Sequence, residues 1–490
     1  MTMKKLPLLA CAIASLLGTQ AANACTTLLV GNQASTNGAY YMARNEDYKA
    51  VWAKHFVLHP RTVNEKGEFH SNTDRFTYPL PKVSLSYTSM QDWDTHDKTM
   101  GEVGLNSAGV GITSTESLTN RQAALTADPY NIKNGINEDS IENVILPRIH
   151  SAKEGVELLG KIIEERGASQ GFGVGFIDKT GIWYLETGSG HQWMARKIPN
   201  DAYFISGNQA RLKEYLPNNS DYLASPTLVS FAEQHGLYVA KANQPFDFHA
   251  AYGTTGGKEN ITYNYPRVWI AQHILNPELK TQVDRDQQNY PVFLTPTHKI
   301  SLQKVEDIMR NHYQGTAMDP YANADPLGHY RPISVFRCAE SHIIEVRPNL
   351  PTAIGETEYI NLGMTALGVY IPFYQGTTKI PYGYNIGTDV ASNGSIFWDM
   401  RKLQTLGMAN WKQNAPIIRA AYDKYETDTA IAQKKMEQKY LAIYKQHPKE
   451  ATALINKFEQ VATDNALKVT NEIFTTLTQK ADMASHFAGA

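Results

Sequence analysis

The most constraining feature of the sequence is a cysteine that directly follows a secretory signal peptide. Lys4 and Lys5 form a positive n-region, residues 6–18 form an apolar stretch too short to span a bilayer, and residues 22–24 form an A-x-A cleavage site. Cleavage at this site makes Cys25 the first residue of the mature protein. We therefore predict an exported protein, periplasmic or secreted, whose fold begins at Cys25.

An N-terminal cysteine supplies a nucleophile and a base in one residue. In model peptides the thiol pKa is about 8.5 and the α-amino pKa about 7.7–8.0, so the free amine can take the thiol proton near neutral pH. A group that orients the amine and an oxyanion hole would complete an amide-cleaving site. Lipid modification of Cys25 is the less favoured fate, because a lipobox prefers Leu three residues earlier and this chain has Ala22.

The mature chain keeps two cysteines, Cys25 and Cys338, because Cys11 leaves with the signal peptide. Two cysteines in an oxidising compartment commonly form a disulfide. In that alternative the protein is a non-catalytic periplasmic binding protein. Otherwise Cys338 is most simply a buried thiol.

Charge and motif content exclude several classes of partner. The chain has 46 Lys and Arg against 48 Asp and Glu, for a net charge of -2, whereas nucleic-acid-binding domains carry a basic excess. No zinc-binding or EF-hand pattern occurs, and the glycine-rich segment 253–259 lacks the spacing of a phosphate loop, so we predict a loop there. We expect no nucleic acid, no cofactor, no metal and no membrane attachment after signal cleavage. The oligomeric state stays open.

Strand hairpins and helical segments alternate along the chain. Apolar runs flanked by turn residues predict hairpins over 25–47, 102–115 and 171–186. A capping-box pattern and helical apolar spacing predict a helix over 151–167, and the composition from about Phe397 onward predicts a helical tail. This pattern favours an α+β fold with stacked antiparallel sheets covered by helices.

The return strand of the first hairpin ends in the polar run Arg44-Asn45-Glu46-Asp47. Period-2 alternation puts Arg44 and Glu46 on one face of the strand and Asn45 and Asp47 on the other. A strand end or bulge there would let both Arg44 and Asp47 reach Cys25. The alternative is a solvated hairpin end, in which an exposed Asp47 contributes little to folding.

The ordered set of segments resembles the N-terminal-nucleophile (Ntn) cysteine dipeptidases of the lactic-acid-bacterial dipeptidase A type, relatives of choloylglycine hydrolase and penicillin V acylase. The matching segments are CTTLLVG from Cys25, ARNED at 43–47, 104–117, 145–160, 183–209, 331–351 and 366–376. The resemblance implies the Ntn-hydrolase αββα sandwich, in which two antiparallel sheets lie between helix layers. We expect three segments: signal peptide 1–24, catalytic domain 25–396 and a helical C-terminal extension 397–490 packed on the same domain.

The resemblance also implies the residues of a catalytic site. Cys25 matches the nucleophile, and Arg44 and Asp47 match the pair that lies beside the thiol and orients the α-amine. Asn208 is similar to the family asparagine of the oxyanion hole, and Arg267 resembles a second catalytic-site arginine. Without the resemblance, Asn208 would be interpreted as a turn residue and Arg267 as a surface or stacking arginine.

The acylases have a further asparagine where counting along this chain places Glu116. A carboxylate cannot donate to an oxyanion unless it is protonated, so we expect Glu116 to bind a substrate ammonium or to be a structural acid. Glu102 and Asp47 are further candidates, because burying the ammonium of a dipeptide requires an anionic partner.

The favoured function is therefore an exported cysteine dipeptidase that forms an acyl-thioester on Cys25 and hydrolyses unblocked dipeptides. The alternative of the same fold is an acyl-amide hydrolase acting on conjugated bile acids, penicillin V or other N-acyl compounds, which needs an apolar cleft instead of an ammonium site.

Overall fold

The computed structural model describes residues 25–94, 101–257, 260–283, 290–322 and 330–488, apart from the side chains of 115, 116, 482 and 484–488. The predicted signal peptide 1–24 and the end of the glycine-rich segment, 258–259, lie outside the described residues. The strands are β1 (Thr26–Val30), β2 (Tyr40–Asp47), β3 (Lys54–His59), β4 (Thr62–Val63), β5 (Glu68–His70), β6 (Thr77–Pro79), β7 (Val83–Ser84), β8 (Tyr87–Asp92), β9 (Val103–Leu105), β10 (Gly111–Ser117), β11 (Phe172–Asp178), β12 (Gly181–Thr187), β13 (Trp193–Lys197), β14 (Tyr203–Ser206), β15 (Glu214–Tyr215), β16 (Tyr222–Ala224), β17 (Phe246–Asp247), β18 (Phe293–Leu294), β19 (Cys338–Val346), β20 (Glu356–Leu362) and β21 (Ile371–Tyr374).

Helices cover the sheets and form the end of the chain. They are α1 (Gln122–Ala127), α2 (Glu138–Ile145), α3 (Ala152–Arg166), α4 (Leu228–Gln234), α5 (Phe248–Tyr252), α6 (Tyr265–Leu275), α7 (Leu302–Met309), α8 (Thr352–Gly355), α9 (Ile396–Ala409), α10 (Trp411–Ile443) and α11 (Pro448–Ala488), with a π-helical turn at Asn260–Asn264 before α6 and a 3-10 turn at Thr365–Leu367.

The strands form two large antiparallel sheets. The larger sheet has the order β18-β14-β1-β2-β19-β20-β21, and the smaller has the order β16-β13-β12-β11-β10-β9. The three predicted hairpins are confirmed as β1–β2, β9–β10 and β11–β12. Strand β1 thus lies inside the larger sheet, with β14 on one side and β2 on the other.

Alternation along the strands divides the apolar residues among three packed layers. Leu29 and Met42 face the smaller sheet, whereas Leu28 and Val30 face the other way, toward helices α6 and α7. The far side of the smaller sheet packs on α2 and α3. The layer order is therefore helices, larger sheet, smaller sheet, helices, with β1 buried on both faces.

Local capping signals determine where α3 begins and ends. The hydroxyl of Ser151 accepts a hydrogen bond from the Glu154 backbone nitrogen at 3.1 Å, as the capping-box pattern predicts. Gly167 ends the helix with a φ of 81°, which a residue with a side chain rarely adopts. The predicted helix over 151–167 is confirmed.

The predicted helical tail is also confirmed, as α9, α10 and α11. Their apolar faces pack into the core shared by the two large sheets, through residues such as Leu403, Ile418 and Ile473. Within the part of the chain that the structure describes, no helix is long and apolar enough to cross a membrane.

Candidate active site

Cys25 lies immediately before β1, between the ends of its two neighbouring strands, and is 2% exposed. Burial raises the pKa of the Cys25 thiol well above its ordinary value, and the nearby Arg44 guanidinium opposes this rise by favouring the thiolate. In the 490-residue chain the nitrogen of Cys25 belongs to the peptide bond with Ala24, so it becomes an amine only after cleavage.

Arg267 connects Cys25 to the predicted oxyanion residue. Its Nη1 donates to the Cys25 carbonyl oxygen at 2.5 Å and to Thr26 Oγ1 at 2.9 Å, and its Nη2 donates to Asn208 Oδ1 at 2.9 Å. The side chain is fully buried. The interpretation of Arg267 as a surface arginine is therefore wrong, because the first turn of α6 points this residue into the layer below β1.

Asn264, which the sequence analysis missed, holds Asn208 in place. Its Oδ1 accepts from the Asn208 backbone nitrogen at 3.1 Å and from Arg267 Nη2 at 2.7 Å, while its Nδ2 donates to the Asn208 carbonyl at 3.1 Å. A signal was present in the sequence, since Asn264 and Arg267 are three residues apart at a helix start and so share one face.

Glycine is required beside Asn208 for steric reasons. A Cβ atom on Gly207 would lie 2.7 Å from Arg267 Nη2. The close approach of this turn to the guanidinium is thus possible only without a side chain.

The polar run at the end of β2 alternates as predicted. Arg44 forms an ion pair with Glu102 at 2.8 Å, and Asn45, on the opposite face, donates to the carbonyls of Met309 and Ile333. The register of β19 shifts opposite Glu46 and Asp47, which is the bulge that the sequence analysis considered there.

Asp47 is fully buried and forms an ion pair with Arg331. The alternative of a solvated hairpin end with an exposed Asp47 is therefore wrong. The short peptide run gave no indication of this, because the covering residues come from distant parts of the chain. Asp47 contributes to the fold as well as to the site.

Three residues that the sequence analysis missed meet beside Asp47. The Arg331 guanidinium lies 4.7 Å from the ring centroid of Tyr263, and Arg337 donates to the Tyr263 hydroxyl. Burial lowers the pKa of Arg331 to about 9, and a negative charge on Cys25 would act in the opposite direction. The guanidinium groups of Arg331, Arg337 and Arg267 thus lie on one side of the Cys25 site, where Arg331 is paired with the Asp47 carboxylate.

The other side of the site is lined with carboxylates. Glu102 and Glu138 both act on the Cys25 thiol as negative charges that raise its pKa. Glu102 pairs with Arg44, and Glu138, at the start of α2, accepts from the Ser117 hydroxyl at 3.0 Å. Glu102 lies just before β9 of the smaller sheet and Glu138 in α2, whereas Arg267 lies in α6 and Arg331 and Arg337 lie in the non-helical segment that leads into β19.

A buried lysine anchors the strand segment opposite Cys25. Lys54 Nζ lies 2.9 Å from Glu46 and 2.9 Å from Asp92, and all three residues are almost fully buried. Burial raises the pKa of Glu46 to about 8, with Lys54 opposing the rise. This cluster ties the β3–β8 hairpin to the catalytic end of β2.

Glu116 pairs in register with Gly173, just after a register shift in β10. Its side chain lies outside the described part of the structure, so its role as an ammonium binder stays a prediction. Among the described residues, no group of three or more His, Cys, Asp or Glu side chains could hold a metal ion.

Cys338 is a free, fully buried thiol at the start of β19, as predicted. Its Sγ donates to the Glu340 carbonyl at 3.1 Å. Strand β2 separates it from Cys25, so the two cysteines are about 10 Å apart at the usual strand spacing, too far for a disulfide. The alternative with a Cys25–Cys338 disulfide is wrong.

Comparison with known proteins identifies the family. The model of peptidase family C69 matches residues 24–424. The chain belongs to peptidase family C69. Membership confirms the predicted enzyme class, a hydrolase of the cysteine peptidase type.

Relatives in this family come from several bacteria. A "Probable dipeptidase" of Salmonella dublin is 56% identical over 363 residues, covering 74% of this chain and 83% of the relative. A "Probable dipeptidase" of Latilactobacillus sakei is 32% identical, covering 77% of this chain and 79% of the relative. A "Dipeptidase" of Bifidobacterium longum is 30% identical, with 78% and 77% covered. The resemblance to dipeptidases of the Ntn cysteine type is thus confirmed for this C69 peptidase.

Proposed function

We propose that this C69 peptidase is an exported dipeptidase with Cys25 as its N-terminal nucleophile. The observation that carries the proposal is the position of Arg267, whose guanidinium donates both to the carbonyl of Cys25 and to the side-chain oxygen of Asn208. The names of the related dipeptidases and the alternation of sheet and helix layers, which fits an Ntn-hydrolase sandwich, support it.

The chemistry begins when signal cleavage frees the α-amine of Cys25. The amine takes the thiol proton, and the thiolate attacks the dipeptide carbonyl to form a tetrahedral oxyanion. Because Asn208 Oδ1 accepts from Arg267, the carboxamide is oriented with its Nδ2 on the other edge, where it can donate to that oxyanion.

Collapse of the tetrahedral intermediate breaks the peptide bond. The leaving amine takes a proton from the Cys25 α-ammonium and departs, which leaves an acyl-thioester on the sulfur. The amine then takes a proton from water while the water oxygen attacks the thioester carbonyl. The C–S bond breaks, the ammonium returns the proton to the sulfur, and the carboxylic acid is released. No other side chain needs to exchange a proton.

Arg44 and Asp47 have different tasks in this proposal. The Arg44 guanidinium favours the thiolate by its charge, and its partner Glu102 limits that effect. Asp47, held by Arg331 at the end of β2, orients the α-ammonium through its carboxylate.

The substrate ammonium distinguishes a dipeptidase from an acylase. Glu102 and Glu138 form a carboxylate-lined side that suits a cation close to Cys25, and Glu116 lies between them in the chain, in β10. An acyl chain would gain nothing from buried acids at this position. This favours unblocked dipeptides over conjugated bile acids or penicillin V.

One assay compares the two substrate classes. The matured protein is given an Ala- or Leu-containing dipeptide, its N-acetyl derivative, and a glycine-conjugated bile acid or penicillin V under the same conditions. We expect acetylation to lower kcat/KM by about 100-fold or more, because the blocked substrate no longer brings a cation to this carboxylate-lined side. If the blocked or acyl substrates are cleaved as well as the free dipeptide, the proposed function is an acylase and not a dipeptidase.

Export is tested by intact mass. Protein recovered from the periplasm or medium should start at Cys25 and carry no lipid. A start at another residue, or a diacylglyceryl adduct, would contradict this maturation.

A further inference from the structure

Gln209, next to Asn208, has a buried carboxamide with no hydrogen bond to it from any described residue. The residue is 2% exposed, and both its Oε1 and its Nε2 are shielded from solvent. Burying a polar group without a partner destabilises the fold, so native proteins rarely keep one that no ligand or water satisfies.

The position of Gln209 in the chain places its backbone directly beside the predicted oxyanion residue. Strand β14 pairs with β1 so that Ser206 lies opposite Thr27, and Asn208 is tied to Cys25 through Arg267. Gln209 is the next residue, and its backbone nitrogen bends back to the Gly207 carbonyl at 2.9 Å. Its Cα is therefore one residue, about 3.8 Å, from that of the oxyanion asparagine.

The charges around Cys25 suggest which half of a dipeptide lies there. The turn with Asn208 and Gln209 contacts Asn264 and Arg267, on the side where Arg331 and Arg337 surround Tyr263. The carboxylates Glu102 and Glu138 lie on the opposite side. A dipeptide is a zwitterion, so its ammonium is favoured at the carboxylates and its C-terminal carboxylate at the arginines.

We propose that Gln209 binds the leaving residue of the dipeptide, with Nε2 donating to the C-terminal carboxylate. This inference rests on the proposed dipeptidase function and adds a specificity determinant to it. It explains why a carboxamide is buried there without a partner among the described residues, since a group that binds a substrate end must keep its donor available. It also predicts a preference for substrates whose leaving group is an α-amino acid.

The test crosses two substrates with two variants. Ala-Ala and alanine ethylamide share the ammonium and the scissile amide, but only Ala-Ala has the carboxylate. Gln209→Met should lower kcat/KM for Ala-Ala at least tenfold and change that for the ethylamide less than twofold. Gln209→Glu should lower it about 100-fold for Ala-Ala alone, because two carboxylates would face each other.

A stability readout separates this role from a structural one. Removing an unpartnered polar group should leave the Tm of Gln209→Met unchanged or raise it. The matched control is Gln272→Met in α6, also buried, whose Nε2 donates to the Pro291 carbonyl at 2.9 Å. This control should lower the Tm and leave kcat/KM for both substrates unchanged.

A second variant and an inhibition assay cover the cases in which Gln209→Met or the ethylamide cannot be used. If Gln209→Met does not fold, it is replaced by Gln209→Asn, whose side chain is one carbon shorter. If the ethylamide is not hydrolysed, its Ki as an inhibitor of Ala-Ala hydrolysis is compared between the wild type and the variant. Equal losses on both substrates, or no loss on either, would overturn the role of Gln209 alone. Wild-type protein that fails to cleave Ala-Ala would overturn the dipeptidase function and this inference with it.

Discussion

The surroundings of Cys25 and Cys338 are alike in several respects and differ in one that matters. Both thiols are buried and free, and burial raises the pKa of both. A buried arginine donates to each backbone carbonyl, Arg267 to Cys25 at 2.5 Å and Arg401 to Cys338 at 2.6 Å. Burial, a raised pKa and a neighbouring guanidinium therefore do not identify a nucleophile.

The difference lies in what else each arginine binds. Arg267 also binds the side-chain oxygens of Asn208 and Asn264, so it fixes the orientation of the Asn208 carboxamide, the predicted oxyanion donor. Arg401 donates to the Phe336 carbonyl and lies over the Phe336 ring, so its contacts are those of a packing residue. The proposed catalytic thiol therefore differs from Cys338 in its oriented polar neighbours and in the α-amine that the proposed cleavage would free beside it.

The largest expected effect separates the two cysteines directly. Cys25→Ala should lower kcat/KM by at least about 10⁴-fold, because it removes the attacking atom. Cys338→Ala should keep activity within about twofold and lower the Tm by a few degrees, as expected for a small cavity. Dipeptide hydrolysis and thermal unfolding of both variants check this; a large loss of activity in folded Cys338→Ala would break the comparison.

The two arginines give the next largest contrast. Lysine cannot reproduce the fork of donors that Arg267 uses, so Arg267→Lys should lower kcat by about 10²–10³-fold, similar to losing an oxyanion donor. Arg401→Lys should lower the free energy of unfolding and leave kcat unchanged. Steady-state kinetics with urea unfolding on both proteins is the measurement. Equal kcat losses would mean that both arginines are structural.

Asp47 is expected to affect both activity and stability, unlike residues that serve only one of them. Because it is buried and paired with Arg331, Asp47→Asn should reduce the free energy of unfolding by about 3 kcal/mol in addition to lowering kcat. The exposed surface pair Lys424 and Asp428 provides a control, since Asp428→Asn should change stability by less than about 0.5 kcal/mol. A fully stable Asp47→Asn variant would contradict the burial argument.

The smallest effect concerns thiol reactivity and its pH dependence. Burial raises the pKa of Cys338 to about 12, which keeps its thiolate scarce near neutral pH, and burial also restricts access. Iodoacetamide should therefore leave Cys338 unmodified, whereas Cys25 of the matured protein should be alkylated because its freed α-amine can take the thiol proton. Below the pKa of the Cys25 thiol, the rate of Cys25 alkylation should rise by up to tenfold per pH unit. Peptide mass mapping measures the alkylation of each cysteine. Preferential labelling of Cys338 would be the contrary result.

Local parts of the fold were predictable from the sequence because their causes are local. Turn residues and alternation defined the hairpin that starts at Cys25, and Ser151 with Gly167 marked the ends of α3. Alternation also assigned Arg44 and Asp47 to opposite faces of β2. These features depend on neighbours within a few residues.

The long-range part of the site was not predictable in this way. Arg331, Arg337 and Tyr263 meet Asp47 only after the larger sheet and its helix layer have assembled, and no spacing in the sequence indicates it. The burial of Asp47 was missed for the same reason. Asn264 is an intermediate case, because its spacing from Arg267 was visible although its partner Asn208 was not.

The central claim is that the freed α-amine of Cys25 is the catalytic base, and retaining one residue before Cys25 tests it most directly. Protein starting at Ala24 is compared with protein starting at Cys25, with folding checked by thermal unfolding. The extended form should fold and keep its thiol but lose about 10²–10⁴-fold in kcat, because an amide nitrogen cannot accept the proton. Full activity of a verified Ala24-Cys25 form would contradict the N-terminal mechanism, even if Cys25 itself proved essential.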